Sequence, residues 1–254
     1  MAPSMVHTGP MNGQPTPTSA QRSQTDVVVH AVQQMVLDGT VAPGHRLPVE
    51  KVLAEQLGVS RGSLREGVRA LSALGVLETR QGAGTFVTSL APGRLLGGLG
   101  FWVQLQAGPA AGHAHAVRRV LEVEAVQRAA ERWTEEHTAR ARELLDSAAR
   151  AITAEPPDHQ EAMRTDLELH RLVAEVAGNP VLSALVDAMS APTLAARWEA
   201  LFDSPRLHDT HREHEAILAA LADRAPDRAR SWMEVHLHGV EAAVASARAE
   251  RDGP

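Results

Sequence analysis

The sequence predicts a mainly α protein in two parts. An N-terminal winged helix-turn-helix with a two-stranded wing is expected over residues 24–89, and an all-α bundle of six or seven helices over 113–250. Three observations predict this. Between residues 25 and 75, three runs of apolar residues repeat at spacings of three and four, each closed by a glycine. Two short β-prone pieces with a glycine-rich joint follow. Past residue 90 no strand signal appears, and the charge balance changes: residues 1–90 carry 7 Lys+Arg against 6 Asp+Glu, and residues 91–254 carry 18 against 25.

Residues 1–23 are rich in Pro, Ser, Thr, Gly and Gln and read as a disordered tail. They lack the basic start and apolar core of a secretory signal, so the chain is expected to be cytoplasmic. Val28, Val29, Val32, Met35 and Val36 then mark a first helix, stopped at Asp38-Gly39. Pro43-Gly44 makes a turn, and Pro48 is expected at the first position of a second helix with Leu53, Ala54 and Leu57 on its apolar side. Gly58 ends that helix, and Ser60 can cap a third, with Leu64, Val68, Leu71 and Leu74 as its stripe. Val76–Thr79 and Thr85–Thr88 are the expected wing strands, joined at Gln81-Gly82-Ala83-Gly84. Residues 90–112 read as a linker with a possible short helix at Leu95–Leu105. From His115 onward the helices are separated near Glu136–His137, Ala154–Asp158, Gly178–Pro180, Ala191–Pro192, Ser204–Pro205 and Ala225–Pro226.

Composition excludes several function classes. Cysteine is absent among the 254 residues, so there is neither a disulfide framework nor a thiolate metal site. No apolar run approaches the roughly 20 residues that span a bilayer. A net charge of -6 argues against a bulk polyanion binder. Of the 25 basic residues only Lys51 is a lysine.

Two constellations carry chemistry. In the third helix Arg61, Arg65 and Arg69 recur every four residues and share one face, opposite Leu64, Val68 and Leu71. Arginine forks suit phosphate oxygens and guanine edges, and a second helix after a tight turn is the one that enters the major groove. Ser60 and Ser63 add short donors at the helix start, and Arg80 and Gln81 sit at the wing tip, where a side chain could reach a minor groove. Arg69 lies farthest from the helix start and is expected to pair with a carboxylate.

The helical half holds 10 of the 13 histidines. Asp166 and His170 are four apart on one helix, His214 lies on another and His236 on the last. Three helices could bring one carboxylate and three imidazoles to a common point, a donor set that suits Zn, Ni, Mn or Fe(II) with open positions. His208, His211 and His238 compete as ligands on spacing alone. A metalloenzyme stays open on these residues, with Glu213 or Glu215 as its acid or base, and so does a helical ligand-binding module without metal.

Pro43-Gly44-His45-Arg46-Leu47-Pro48-Val49-Glu50-Lys51, then Val59-Ser60-Arg61-Gly62-Ser63-Leu64-Arg65-Glu66, then Gly82-Ala83-Gly84-Thr85-Phe86-Val87 resemble the N-terminal domain of GntR-family transcription regulators. The resemblance implies operator contacts by Lys51, Ser60, Arg61, Ser63, Arg65 and Gly82; with Arg46, Gly62, Arg80 and Gln81 these make the expected DNA-binding set. Val49, Lys51 and Gly62 depart from the commoner small residue, arginine and threonine. Residues 115–247 resemble the FCD-type effector domain of the FadR subgroup, through Arg118-Arg119-Val120-Leu121-Glu122, Asp166-Leu167-Glu168-Leu169-His170, Gly178-Asn179-Pro180 and the His214 and His236 motifs.

That second resemblance implies a divalent metal ion (Zn, Ni or Mn) on Asp166, His170, His214 and His236, a small carboxylate effector beside it, and Arg118 near the effector. The other reading of Arg118 is an ion pair with Glu122, and Asn179 is expected to be a helix cap. Together the resemblances imply a non-enzymatic, homodimeric regulator, a repressor, on a palindromic double-stranded operator, with no membrane association.

Overall fold

The computed structural model describes residues 23–105, 109–201 and 206–252. The expected tail, apart from Ser23, lies outside them, as does the expected break at Ser204–Pro205. The chain divides into two compact units.

The first unit holds α1 (Gln24–Leu37), α2 (Glu50–Leu57), α3 (Arg61–Ala73), β1 (Leu77–Arg80) and β2 (Gly84–Val87). Ser23 and Asp26 form a capping box at α1, an arrangement worth on the order of 1 kcal/mol. Pro48 falls one residue before the N-cap Val49, not inside α2. Its fixed φ favours an extended approach as readily as a first helical turn. Gly58 closes α2 in the left-handed region at φ +63°, and Ser60 Oγ accepts the Ser63 N–H at 3.0 Å to start α3. This fixes the tight corner between the two helices.

Both wing strands begin and end close to where the sequence places them, in antiparallel register from Leu77 opposite Val87 to Arg80 opposite Gly84. The wing also gains a bridge from Arg46 to Phe86, with Leu47 N–H donating to Thr85 O at 2.8 Å. A lone residue between two turns carries no period-2 signal, so the sequence did not announce it.

Val28, Val32, Leu53, Leu64 and Leu71 form the buried centre of this unit. Each such side chain contributes roughly 1.5–3 kcal/mol. Val68 is only half-buried, and Gly67 takes its place against α1.

The second unit contains α4 (Pro92–Leu95), α5 (Gly97–Leu105), α6 (Pro109–Arg132), α7 (Glu135–Thr153), α8 (His159–Val176), α9 (Pro180–Leu201), α10 (Arg206–Ala222) and α11 (Pro226–Asp252). The stretch read as a linker is thus largely helical, and α5 packs on α9 through Val103 and Met189. Helix α9 runs through Pro192, where the sequence suggested a break. A mid-helix proline costs about 3 kcal/mol, which packing of α9 against α5, α6, α8 and α11 offsets. Helix α7 starts earlier than expected because Thr134 caps it, accepting the His137 N–H. Asn179 caps α9 through Val181 and Leu182 N–H at 3.1 and 3.2 Å. The core runs from Val126 on α6 and Trp133 just past its end through Leu144 and Leu169 to Leu218 and Met233.

A Cβ at Gly67 would lie 2.5 Å from Val28 Cγ1. Alanine there gains up to about 1 kcal/mol of helix propensity, but overpacking costs about 1–3 kcal/mol. Gly67→Ala is expected to loosen the first unit, seen as faster amide hydrogen exchange in α1 and α3 with α7 unchanged. Equal or slower exchange in α1 and α3 would refute the close-contact role.

Candidate nucleic-acid interface and metal centre

The first unit exposes two groups of candidate residues. Lys51 lies on α2, and Ser60, Arg61, Gly62, Ser63 and Arg65 form the start of α3. All are solvent-accessible, Ser63 least so. Gln24 ties them to α1, since its Oε1 accepts from Ser63 Oγ at 2.9 Å and from Ser60 N–H at 3.4 Å. That link joins residues 39 positions apart and has no sequence signature.

Among the described residues Arg61 and Lys51 make no ion pair, whereas Arg65 Nε donates to Glu50 at 3.0 Å and Arg69 Nη1 to Glu66 at 2.8 Å. Arg69 therefore does pair with a carboxylate, as its position suggested. Exposed pairs of this kind contribute about 0–1 kcal/mol, so Arg65 can exchange Glu50 for a phosphate at little cost.

The second group is on the wing. Gln81 and Gly82 form its exposed tip, with Gly82 at φ +72°. Arg80 does not project there. Its Nε donates to Glu78 at 3.0 Å and its guanidinium lies over the Phe86 ring at 4.4 Å. A cation over an aromatic face plus a carboxylate holds it back along the strand. Arg46 reaches the same wing, and its guanidinium occupies the space a Cβ on Gly84 would need.

In the second unit, α8 supplies Asp166 and His170, α10 supplies His214 and α11 supplies His236. One ligand nitrogen from each histidine lies within 4.8 Å of the others. His214 Nε2 and His236 Nε2 are 3.3 Å apart. Asp166 Oδ1 is 3.7 Å from His214 Nε2 and 3.8 Å from His170 Nε2. All four side chains are buried. His170 Nε2 has no hydrogen-bond partner, and a bare buried nitrogen costs free energy unless something occupies it. The donor set is three imidazoles and a carboxylate, so these residues fit a divalent cation.

The rival histidines fall outside the cluster, although His211 borders the cavity that Asp166 and His214 line. His208 and His238 are exposed, and His211 sits 4.0 Å from Glu215.

Arg118 is buried at 0 % exposure. Its Nε donates to Glu122, while Nη1 and Nη2 have no partner. The ion-pair reading of Arg118 is therefore met at one nitrogen, and the other two guanidinium nitrogens stand without a partner. Ser190 Oγ donates to Glu122 Oε1 at 3.2 Å, and Glu122 Oε2 meets His170 Nδ1. On the far side Glu213 Oε2 takes Arg206 Nη2 at 2.7 Å and faces His236 Nδ1 at 3.3 Å. Ser190 carried no signal in the sequence, since it comes from a distant helix, and Arg206, seven residues before Glu213 on α10, lies outside the three- and four-residue spacings that mark helical pairs.

Burial, then the facing imidazoles and Arg118, hold His214 and His236 well below the usual histidine range. Neutral imidazole is the form that binds metal. Burial alone would raise Glu122, but Arg118 and His170 outweigh it and keep the carboxyl below the usual range. At Glu213 burial prevails over Arg206 and pushes the carboxyl up.

A family model described as "Bacterial regulatory proteins, gntR family" matches residues 24–87, and one described as "FCD domain" matches residues 113–239, half of the chain. The chain belongs to the GntR family. It is a DNA-binding transcription regulator with an FCD domain, and its family consists of regulators, not enzymes. The regulator is 29% identical over 227 residues to a protein named HTH-type transcriptional repressor NanR from Klebsiella aerogenes, covering 88% of this chain and 86% of that one. The corresponding protein of Enterobacter sp. is also 29% identical over 227 residues with the same coverage. A solved structure described as Streptococcus agalactiae GntR shares the fold, with TM-score 0.62, 24% identity, and coverage of 86% of this chain and 99% of that one. Among the described residues no helix is long and apolar enough to cross a membrane.

The depressed imidazoles give the metal-free regulator a pH dependence. His214 and His236 stay neutral in the folded protein where an unfolded histidine, near 6.5, begins to take up a proton. Acid therefore favours the unfolded chain. For chelator-treated protein the urea midpoint is expected to be highest above about pH 7 and to fall as the pH drops through 6.5. A midpoint that rises between pH 7.5 and 5.5 would contradict the buried, neutral assignment.

Proposed function

We propose that this regulator is a homodimeric repressor that leaves its operator when a small carboxylate binds at a metal centre in the FCD domain. The observation that carries this reading is the buried cluster of Asp166, His170, His214 and His236 beside an arginine with two unused guanidinium nitrogens. A divalent ion (Zn, Ni or Mn) held there supplies open coordination positions for an oxygen ligand. The Arg118 fork is suited to the effector's carboxylate, which it can bind in bidentate fashion. The relatives' names, which describe repressors, support repression.

In each protomer α3 reads one half-site in the major groove, and two-fold symmetry calls for a palindromic operator. Arg61 and Arg65 address bases and phosphates, and Lys51, Ser60, Gly62 and Ser63 address the backbone. Arg46, Gln81 and Gly82 approach through the wing, while Glu78 and Phe86 hold Arg80 back from its tip. The protein acts in the cytoplasm, where its operator lies. The effector releases DNA only through its affinity difference between the two arrangements of the dimer, and moving the population from 1:99 to 99:1 needs about 10⁴-fold.

Anisotropy titrations against the promoter DNA beside its own gene, with elemental analysis, test this. Salt-sensitive, sequence-selective binding is expected, with one metal per chain that His214→Ala removes. Metal far below one per chain in wild type would sink the metal centre, and equal binding to all DNA would sink the operator reading. Lys51→Ala is expected to weaken binding to every sequence alike and to lower the salt slope by about one. A loss confined to one sequence would move Lys51 from phosphate to base contact.

A further inference from the structure

We propose that Glu122 is a positioning residue of the metal centre: it keeps the proton of His170 on Nδ1, so that Nε2 stands bare toward the other ligands, and it holds the Arg118 fork open. This rests on the metal reading above. Glu122 belongs to the opening helix α6, not to any of the three ligand-bearing helices, and it lies 2 % exposed among partners that are themselves buried.

The argument starts from the division of labour between its two oxygens. Oε1 takes the Arg118 Nε–H and the Ser190 hydroxyl, the latter at 3.2 Å. Oε2 meets His170 Nδ1. An imidazole nitrogen with its lone pair turned on a carboxylate oxygen would be repelled, so Nδ1 carries the hydrogen. A neutral imidazole has one ring proton, and Nε2 is then left as a bare donor atom. That nitrogen lies 3.8 Å from Asp166 Oδ1; neither it nor Nδ1 and Glu122 Oε2 completes a hydrogen bond, but only Nδ1 has a carboxylate oxygen in close ion-pair contact. A carboxylate on the outer nitrogen of a metal-binding histidine commonly fixes its tautomer and ring orientation.

The same carboxylate decides what Arg118 can do. Because Glu122 occupies Nε, the two terminal nitrogens point away from it and remain unpaired in a dry site. One side chain therefore touches both a metal ligand and the receptor for the effector's charge.

The informative variant is Glu122→Gln, which keeps size and shape. Arg118 and Ser190 are both donors and claim the amide oxygen. The amide NH2 is left facing His170 Nδ1, which must then accept, and the proton moves to Nε2, where it blocks coordination. Full-length protein labelled with ¹⁵N-histidine and stripped by chelator is compared by NMR, then titrated with Zn²⁺ alone. Wild type is expected to show His170 as the Nδ1–H tautomer, and Glu122→Gln as Nε2–H with Zn²⁺ affinity about 10–100-fold weaker.

A wild-type Nε2–H tautomer overturns the proposal, and it does so even if the variant fails to fold. A folded variant with the wild-type tautomer, or one that binds Zn²⁺ as tightly as wild type, overturns only the role of Glu122. Wild type that takes up none of Zn²⁺, Ni²⁺ or Mn²⁺ overturns the metal reading itself.

Discussion

The helical domain is organised by the cost of keeping ionisable groups dry. Arg118, Glu122, Asp166, His170, Glu213, His214 and His236 are all buried in one bundle. An unpaired ion in such a place costs several kcal/mol; Arg118 and Glu213 find a partner within their own helices, Glu122 and Arg206, and further contacts cross between helices. Ser190 reaches Glu122 from α9, Glu122 reaches His170 on α8, and His214 on α10 meets His236 on α11. These contacts set the helices against one another more narrowly than apolar packing alone, which tolerates exchange of similar shapes. The leucine-rich core around Leu218 and Met233 supplies the cohesion, and the polar centre supplies the register.

The DNA-reading unit solves the opposite problem. Its cations are few and stand in water, and three of its arginines already face carboxylates: Arg65 with Glu50, Arg69 with Glu66 and Arg80 with Glu78. This arrangement weakens long-range attraction to any polyanion while leaving Arg61 and Lys51 available. With little bulk positive charge, non-specific affinity is held down, and recognition depends on where each cation sits. The whole-chain charge of -6 therefore says little about nucleic acid.

How far the sequence could be read follows from the range of the forces involved. The helix-turn-helix was legible because its signals are local: Gly58 at a left-handed corner and Ser60 capping α3 act within a few residues. The four candidate ligands were legible because Asp166 and His170 share a helix face and the motifs around His214 and His236 resemble a known domain. Arg80 was misplaced because sequence spacing cannot show a guanidinium folding back onto Phe86. Gly67, Gln24 and Ser190 were invisible for a related reason, since each matters through a partner on another element. Pro192 misled because a local penalty was weighed without the packing that offsets it.

Lys51 carries a consequence of a different kind. It is the chain's sole lysine, exposed on α2, in a protein without cysteine. Apart from the α-amine, an amine-directed acylating reagent has one address on the folded chain, within the helix-turn-helix. A dye placed there reports on that unit alone, complementing the four tryptophans, all of which fall after residue 100. An arginine-rich composition thus leaves the protein with two separate optical windows, one for each half.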